Sequence, residues 1–145
     1  MNLIKSKKAL SAEIENIDLS KDLKIDQINF IQKAWDENLV LTFKNQKLTD
    51  PQLLKFSKHF GNLDLPAPNP YGINFSPDYP EINVISNVKE KGKPIGILGD
   101  GEATWHADMT YNEIPPKGAI LYSLEVPKDQ GDTHFSNMIA AYDDM

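Results

Sequence analysis

The stretch Thr104-Trp105-His106-Ala107-Asp108-Met109-Thr110-Tyr111 holds the residues best suited to chemistry. On a strand, residues two apart face the same side. His106 and Asp108 would then turn an imidazole and a carboxylate toward one point, a usable pair of ligands for a first-row divalent ion. Such a pair, joined by a distant histidine, makes the facial triad of non-haem iron and leaves three coordination positions open on one face. The His-x-Asp spacing alone is weak, because it arises by chance in many chains. A surface histidine beside a strand-end carboxylate reads the same. Context shifts the balance: the pair follows a glycine-rich loop and precedes a Pro115-Pro116 turn and two further β-favouring segments.

Elements must exist to position these side chains. Ile25, Ile28, Ile31 and Trp35 recur at spacings of three and four, which predicts an amphipathic helix over 24–38. The apolar run Leu39-Val40-Leu41-Thr42-Phe43 predicts a buried strand. Thr49-Asp50-Pro51-Gln52 has the form of a capping box and opens a second helix, Pro51 to Phe60, which Gly61 stops. The prolines between Leu65 and Pro80 make that segment a loop, Glu81 to Ser86 reads as a strand, and the stretch from Lys89 to Gly101 as another loop. Ala103 to Tyr111, Gly118 to Val126 and Gly131 to Phe135 are β-favouring. Ser136 or Asn137 can cap a closing helix through Met138 to Tyr142. That helix reaches Met145 without a stop signal, so the chain is expected to be truncated at its C-terminal end.

The bulk numbers narrow the class. The chain has 145 residues, 40% of them apolar, enough for one domain with a real core. A net charge of −6 argues against nucleic acid, whose phosphates demand a basic surface. There are no cysteines, hence no disulfides, thiolate metal sites or cysteine nucleophile, which suits a reducing cytoplasm. The lysines near the N-terminus precede no apolar run, so no secretory signal is read there, and no stretch is long and apolar enough to predict a membrane helix. The expectation is a soluble, acidic, cytoplasmic protein with no nucleic-acid or membrane partner.

Around the His-x-Asp pair the sequence resembles the taurine dioxygenase-like (TauD/TfdA) group of Fe(II)- and 2-oxoglutarate-dependent dioxygenases. The resemblance rests on Trp105-His106-Ala107-Asp108, on Pro115-Pro116 with Gly118-Ala119-Ile120-Leu121, and on Leu124-Glu125-Val126-Pro127. It continues through Gly131-Asp132-Thr133 and Ala140-Ala141-Tyr142, in the family's order and with its gaps. Upstream, Ala12 to Leu19 and Phe56-Ser57-Lys58-His59-Phe60-Gly61 are similar to the family's opening elements, so nearly the whole chain is covered. The fold this implies is mixed α+β, mainly β: a double-stranded β-helix, or jelly roll, of the clavaminate synthase-like kind. It would be a single domain over 1–145, incomplete at its C-terminal end.

The function implied is hydroxylation of a small organic substrate with release of succinate and CO2. Fe(II) is the cofactor, and 2-oxoglutarate and O2 are cosubstrates. His106 and Asp108 match two of the family's metal ligands, and Asp108 speaks against the halogenating variant, which vacates the carboxylate position for halide. Thr133 resembles the residue whose hydroxyl binds the distal carboxylate of 2-oxoglutarate. The family's second metal-binding His and its 2-oxoglutarate Arg lie well downstream of Gly131-Asp132-Thr133 and are absent from this sequence. His134, beside Thr133, should point to the opposite face, and His59 sits near a helix end; neither is read as a ligand.

Taurine-specific members carry a histidine in the loop that corresponds to Leu65 to Gly72, where this chain has Pro66-Ala67-Pro68-Asn69-Pro70-Tyr71, so taurine is not expected. Tyr71, Glu102, Met109 and Tyr111 are candidate substrate-binding wall residues by position. Each has an ordinary reading beside it, as exposed loop for Tyr71 and Glu102 and as packing for Met109 and Tyr111. Homo-oligomerisation is left open. Two competing readings stand beside the oxygenase: a non-catalytic cupin-like barrel that binds a small molecule, and an inactive fragment. Fold alone does not separate them.

Overall fold

The computed structural model describes residues 1–67, 69, 72–98, 104–128 and 131–145. They form two compact units, one of Met1–Phe60 with Tyr122–Met145 and one of Gly61–Leu121. Among the described residues no helix is long and apolar enough to cross a membrane.

The first unit is built on a β-α-β connection. Strand β1 (Asn2–Lys5) pairs antiparallel with β2 (Ala12–Glu15), Leu3 opposite Ile14. Helix α1 (Ile25–Asn38) then carries the chain back so that β3 (Leu41–Thr42) lies parallel to β2, Ala12 opposite Leu41. A parallel pair needs such a crossover, because a short turn can only reverse the chain. Two main-chain bonds tie the helix exit to the sheet: Ser11 N–H donates to Asn38 O at 2.9 Å, and Ala12 N–H to Val40 O at 3.0 Å.

Helix α1 starts where the periodicity places it, but its buried stripe is Ile31, Ala34 and Asn38, while Ile25 is exposed. Asn38 is a polar residue in that stripe, and its Nδ2–H donates to Ala34 O at 2.7 Å, so burial leaves it satisfied. The strand expected from Leu39 begins only at Leu41. Leu39 caps the helix with φ +65°, its N–H bonded to Trp35 O and its carbonyl accepting from Trp35 Nε1–H at 3.0 Å. A residue in that conformation cannot extend a strand.

Helix α2 (Asp50–Ser57) opens as the capping box predicts: the Thr49 N–H donates to Gln52 Oε1 at 2.8 Å. It ends at Ser57 and passes through a turn to Phe60, shorter than the expected helix. Gln27 performs the same service for α1, accepting from the Lys24 N–H at 2.9 Å. Gln46 works across the loops, accepting from Leu19 N–H and donating to Ile17 O and Lys44 O. The core of this unit is Ile14, Leu19, Ile31, Ala34 and Phe56. Around it Phe56 meets Phe43 and Phe60 edge to face, with centroids 5.8 and 5.2 Å apart, and Trp35 meets Phe60 at 5.9 Å.

The closing helix, α3 (Met138–Asp143), starts as expected on Asn137, whose Oδ1 accepts from the Ile139 and Ala140 N–H groups. The Asn137 Nδ2–H donates to Ala9 O at 2.8 Å, and the Tyr122 hydroxyl accepts from the Leu48 N–H at 2.9 Å. Those two bonds attach the C-terminal segment to the first unit.

In the second unit the stretch from Lys89, read from sequence as loop, forms a hairpin of β4 (Lys89–Glu90) and β5 (Lys93–Pro94). Its tip is Lys91-Gly92, with φ +49° and +78°; two positive values make the tight turn whose twist suits paired strands. Glu81 to Ser86, expected as a strand, is not one. It is nonetheless partly bonded: Ile97 N–H donates to Val84 O and Leu98 N–H to Ser86 O. Gly96 lies where a Cβ would fall 2.7 Å from Ser86 N and 2.8 Å from Val84 O, so only glycine permits this approach.

The β-favouring segments 103–111, 118–126 and 131–135 form no strands among the described residues, which contain more helix than strand. The architecture is mixed α and β, and the expectation of a mainly β chain is corrected to that extent. The physical reason is that β-propensity records fit to a half-buried pleated surface, and a strand exists only when a neighbour takes up its N–H and C=O groups.

Candidate functional site

Thr104 to Tyr111 forms no strand: it is irregular through Ala107 and turns over Asp108 to Tyr111. His106 and Asp108 nonetheless converge. His106 Nε2 lies 3.1 Å from Asp108 Oδ1, and His106 Nδ1 lies 2.7 Å from the main-chain oxygen of Thr104. Just after the carboxylate, Met109 adopts φ +50°, a left-handed conformation uncommon for a residue with a Cβ. Its carbonyl then accepts from the Asn112 N–H at 3.1 Å, closing the turn.

The imidazole thus has an oxygen acceptor at each nitrogen. Both contacts can be hydrogen bonds only if both nitrogens carry protons, that is, in the imidazolium. Accordingly the Thr104 carbonyl, and after it the Asp108 charge, hold the His106 pKa above its ordinary value. In the metal-free protein, NMR titration should show His106 protonated to higher pH than an isolated imidazole. Asp108→Asn should lower that pKa only in part, because the Thr104 carbonyl also raises it. A pKa unmoved by Asp108→Asn would show that the carboxylate does not face the ring in solution.

A metal ion can replace the proton between Nε2 and Oδ1. Two donors on one octahedral first-row ion, each about 2.1 Å from it and at right angles, lie about 3.0 Å apart. The 3.1 Å separation here fits that spacing, and imidazole nitrogen with carboxylate oxygen is a donor set that iron, manganese and zinc all accept. The side chains are 61% and 69% exposed, so their contact adds little to stability. Among the described residues no third His, Asp or Glu joins them.

The other residues singled out from sequence are distributed as follows. Met109 and Tyr111 belong to the same turn as the pair, Met109 half-buried and Tyr111 exposed. Tyr71 and Glu102 lie outside the described residues. Thr133 belongs to the other compact unit and is exposed, two residues after Gly131 with its φ of +81°. His59 stands exposed in the turn after α2, its main-chain N–H donating to Phe56 O. Sequence reasoning missed Thr104. Its contribution is a main-chain carbonyl, which no residue letter signals.

Within the second unit, described residues between Leu65 and Val84 line a groove of about 320 Å³. Its lining is apolar, with Leu65, Ile73, Phe75 and Ile82, and polar through the amides of Asn69, Asn74 and Asn83.

An imidazole and a carboxylate in contact at 3.1 Å, in a chain of mixed α and β structure, are a donor pair that could hold a metal ion. Comparison with known proteins makes the assignment narrower. The family described as "Taurine catabolism dioxygenase TauD, TfdA family" matches residues 4–145, and the chain belongs to that family. It is 32% identical over 142 residues to an alpha-ketoglutarate-dependent 2,4-dichlorophenoxyacetate dioxygenase of Cupriavidus pinatubonensis, an alignment covering 92% of this chain and 48% of the relative. It is 30% identical over 137 residues to an alpha-ketoglutarate-dependent sulfate ester dioxygenase of Pseudomonas putida, covering 94% of this chain and 41% of the relative. Among solved structures, a putative alpha-ketoglutarate-dependent taurine dioxygenase from Burkholderia xenovorans superposes with a TM-score of 0.53 at 30% identity. That superposition covers 61% of this chain and 31% of the other. The chain spans about half the length of the curated relatives it matches, or less.

Proposed function

We propose that this chain is part of an Fe(II)- and 2-oxoglutarate-dependent dioxygenase that hydroxylates a small organic substrate, releasing succinate and CO2. The observation that carries the reading is the His106–Asp108 pair at 3.1 Å, in a chain whose family match runs from residue 4 to 145. In this reading His106 through Nε2 and Asp108 through Oδ1 hold the metal, and a third ligand comes from outside the pair. When bound, Fe(II) supplies the open coordination face at which O2 and the keto acid react. The protein's own part is to hold that face toward the substrate and to keep water from it.

The jelly roll belongs to the same proposal. Ile120, Leu121, Leu124, Val126 and Phe135 are exposed on segments without ladder partners among the described residues. Such segments suit the strands of a double-stranded β-helix, whose neighbours would cover them. The substrate is read as a small organic molecule, in keeping with the relatives named for a dichlorophenoxyacetate and a sulfate ester. Met109, Tyr111, Tyr71 and Glu102 are proposed for its pocket wall. A chain without cysteines suits the reducing cytoplasm, which we take as the compartment.

Thr133 is assigned to 2-oxoglutarate, its hydroxyl donating to the distal carboxylate. One hydrogen bond to a charged group contributes roughly 1.5–3 kcal/mol, so Thr133→Val should raise the KM for 2-oxoglutarate about tenfold or somewhat more. An unchanged KM removes Thr133 from the site. The function itself is tested in the intact protein by succinate formation from 2-oxoglutarate, with Fe(II) supplied or chelated. Metal-dependent succinate supports the dioxygenase; none, across a panel of aryloxyalkanoates and alkyl sulfate esters, counts against it.

A further inference from the structure

We propose that the groove between Leu65 and Val84 binds an uncharged molecule with an apolar body and a neutral hydrogen-bonding group, a carboxamide above all, and rejects an anion. That the bound molecule is the uncharged end of the substrate rests on the dioxygenase reading; the binding chemistry does not.

The lining is held in place by bonds that a ligand need not provide. Ile97 N–H donates to Val84 O at 3.1 Å, and Gly96 packs where a Cβ would fall 2.8 Å from that same oxygen. Ile82 N–H donates to Tyr79 O at 2.9 Å. Asn69 Nδ2–H donates to Ile73 O at 2.7 Å, and Ser76 N–H to Asn74 Oδ1 at 2.9 Å. A site ordered beforehand costs its ligand less to occupy. The volume, about 320 Å³, suits a small molecule.

Charge decides the class of ligand. Ile73, Phe75, Ile82 and Val84 give the groove its apolar surface, and Asn74 and Asn83 give it neutral polar groups. Between Leu65 and Val84 the sequence has no Lys, Arg or His; its charged residues are Asp78 and Glu81. A carboxylate, sulfonate or sulfate entering the groove would lose water, find no cation on this segment and meet charges of its own sign nearby. Neither acid lines the groove, so a cation gains no contact partner on it either. An asparagine amide offers both N–H and C=O, whereas a carboxylate can only accept. A carboxamide matches both halves. Any anionic group on the same substrate therefore points out of the groove.

The test uses the intact protein without added metal and with methyl-labelled isoleucine, the Ile73 and Ile82 signals assigned through Ile73→Val and Ile82→Val. The probes are benzamide and its isosteric anion, benzoate. Benzamide should shift both methyl signals and bind about tenfold tighter than benzoate, or more. Equal or tighter binding of benzoate overturns the proposal, and so does the absence of any shift with benzamide. Asn83→Lys, at an exposed position, places a cation on the lining and should reverse the preference. A preference that survives Asn83→Lys would show that the groove does not read charge. Ile73→Trp, at a position 51% exposed, should fill the groove and abolish benzamide binding with the thermal melt unchanged; retained binding would place the probe elsewhere and overturn the assignment. Failure to form succinate with Fe(II) and 2-oxoglutarate, while the methyl shifts persist, would remove the dioxygenase reading and leave the groove's ligand class established.

Discussion

On the proposed reading of the pair as metal ligands of a dioxygenase, replacing His106 or Asp108 with alanine in the full-length protein is expected to abolish Fe(II)-dependent succinate formation while leaving the fold intact. The two side chains present their donors 3.1 Å apart, and an ion held by both has its position defined by both. With either removed, the remaining ligand on this turn holds the metal weakly, and binding free energy that depends on preformed ligands is lost with them. Neither side chain is part of a packed core: they are 61% and 69% exposed, and surface substitutions of that kind usually move stability by no more than about 0.5 kcal/mol. The two effects separate cleanly. Succinate release and Fe(II) affinity are measured beside a thermal melt, and the expected result is loss of the first two with the melt unchanged. Normal succinate production by His106→Ala would sink the ligand assignment. A collapsed melt would show that the pair is structural.

The second large effect is expected in the core of the first unit. Phe56 is 5% exposed, on the inner face of α2, and meets Phe43 and Phe60 edge to face. Truncating a buried phenylalanine removes its apolar area from the core and leaves a cavity, which costs about 3–5 kcal/mol. The edge-to-face pairs contribute to that figure, since each is worth about 0.5–1.5 kcal/mol beyond its area. Against a total stability of roughly 5–15 kcal/mol for a natural domain, Phe56→Ala leaves little margin. Urea unfolding of the intact protein, followed by near-UV circular dichroism, should show the midpoint fall steeply. A loss below about 1 kcal/mol would mean that Phe56 is not central to the packing. Phe56→Leu, which fills more of the volume, should recover part of the loss.

The elements legible from sequence share one property: their hydrogen bonds are local. Helix α1 announced itself through Ile28, Ile31 and Trp35, α2 through Thr49 and Gln52, and α3 through Asn137. Each of these signals lies within four residues of the bond it predicts. The misread elements depended on distant partners or on unusual dihedrals. Leu39 delayed β3 by taking a positive φ that its apolar character did not suggest. The Lys89 hairpin hid behind a run of charges, although Gly92 marked its turn. The expected strands after Ala103 had the composition of strands but no neighbour to pair with among the described residues.

The same division runs through the site. The sequence by itself determined the chemical types, an imidazole and a carboxylate two residues apart, and the family motifs around them from Trp105 to Tyr142. Composition, charge and the absence of cysteine are equally properties of the letters. Tertiary structure decided how the two donors meet: on a turn instead of a strand, at 3.1 Å, with the Thr104 carbonyl 2.7 Å from the second ring nitrogen. It also decided which isoleucines form the core, burying Ile14 and Ile31 and leaving Ile25 exposed. The physical reason is common to both. Side-chain chemistry is carried by residue identity, whereas the aim of a backbone carbonyl and the burial of one isoleucine over another depend on dihedrals and neighbours that exist only once the chain has folded.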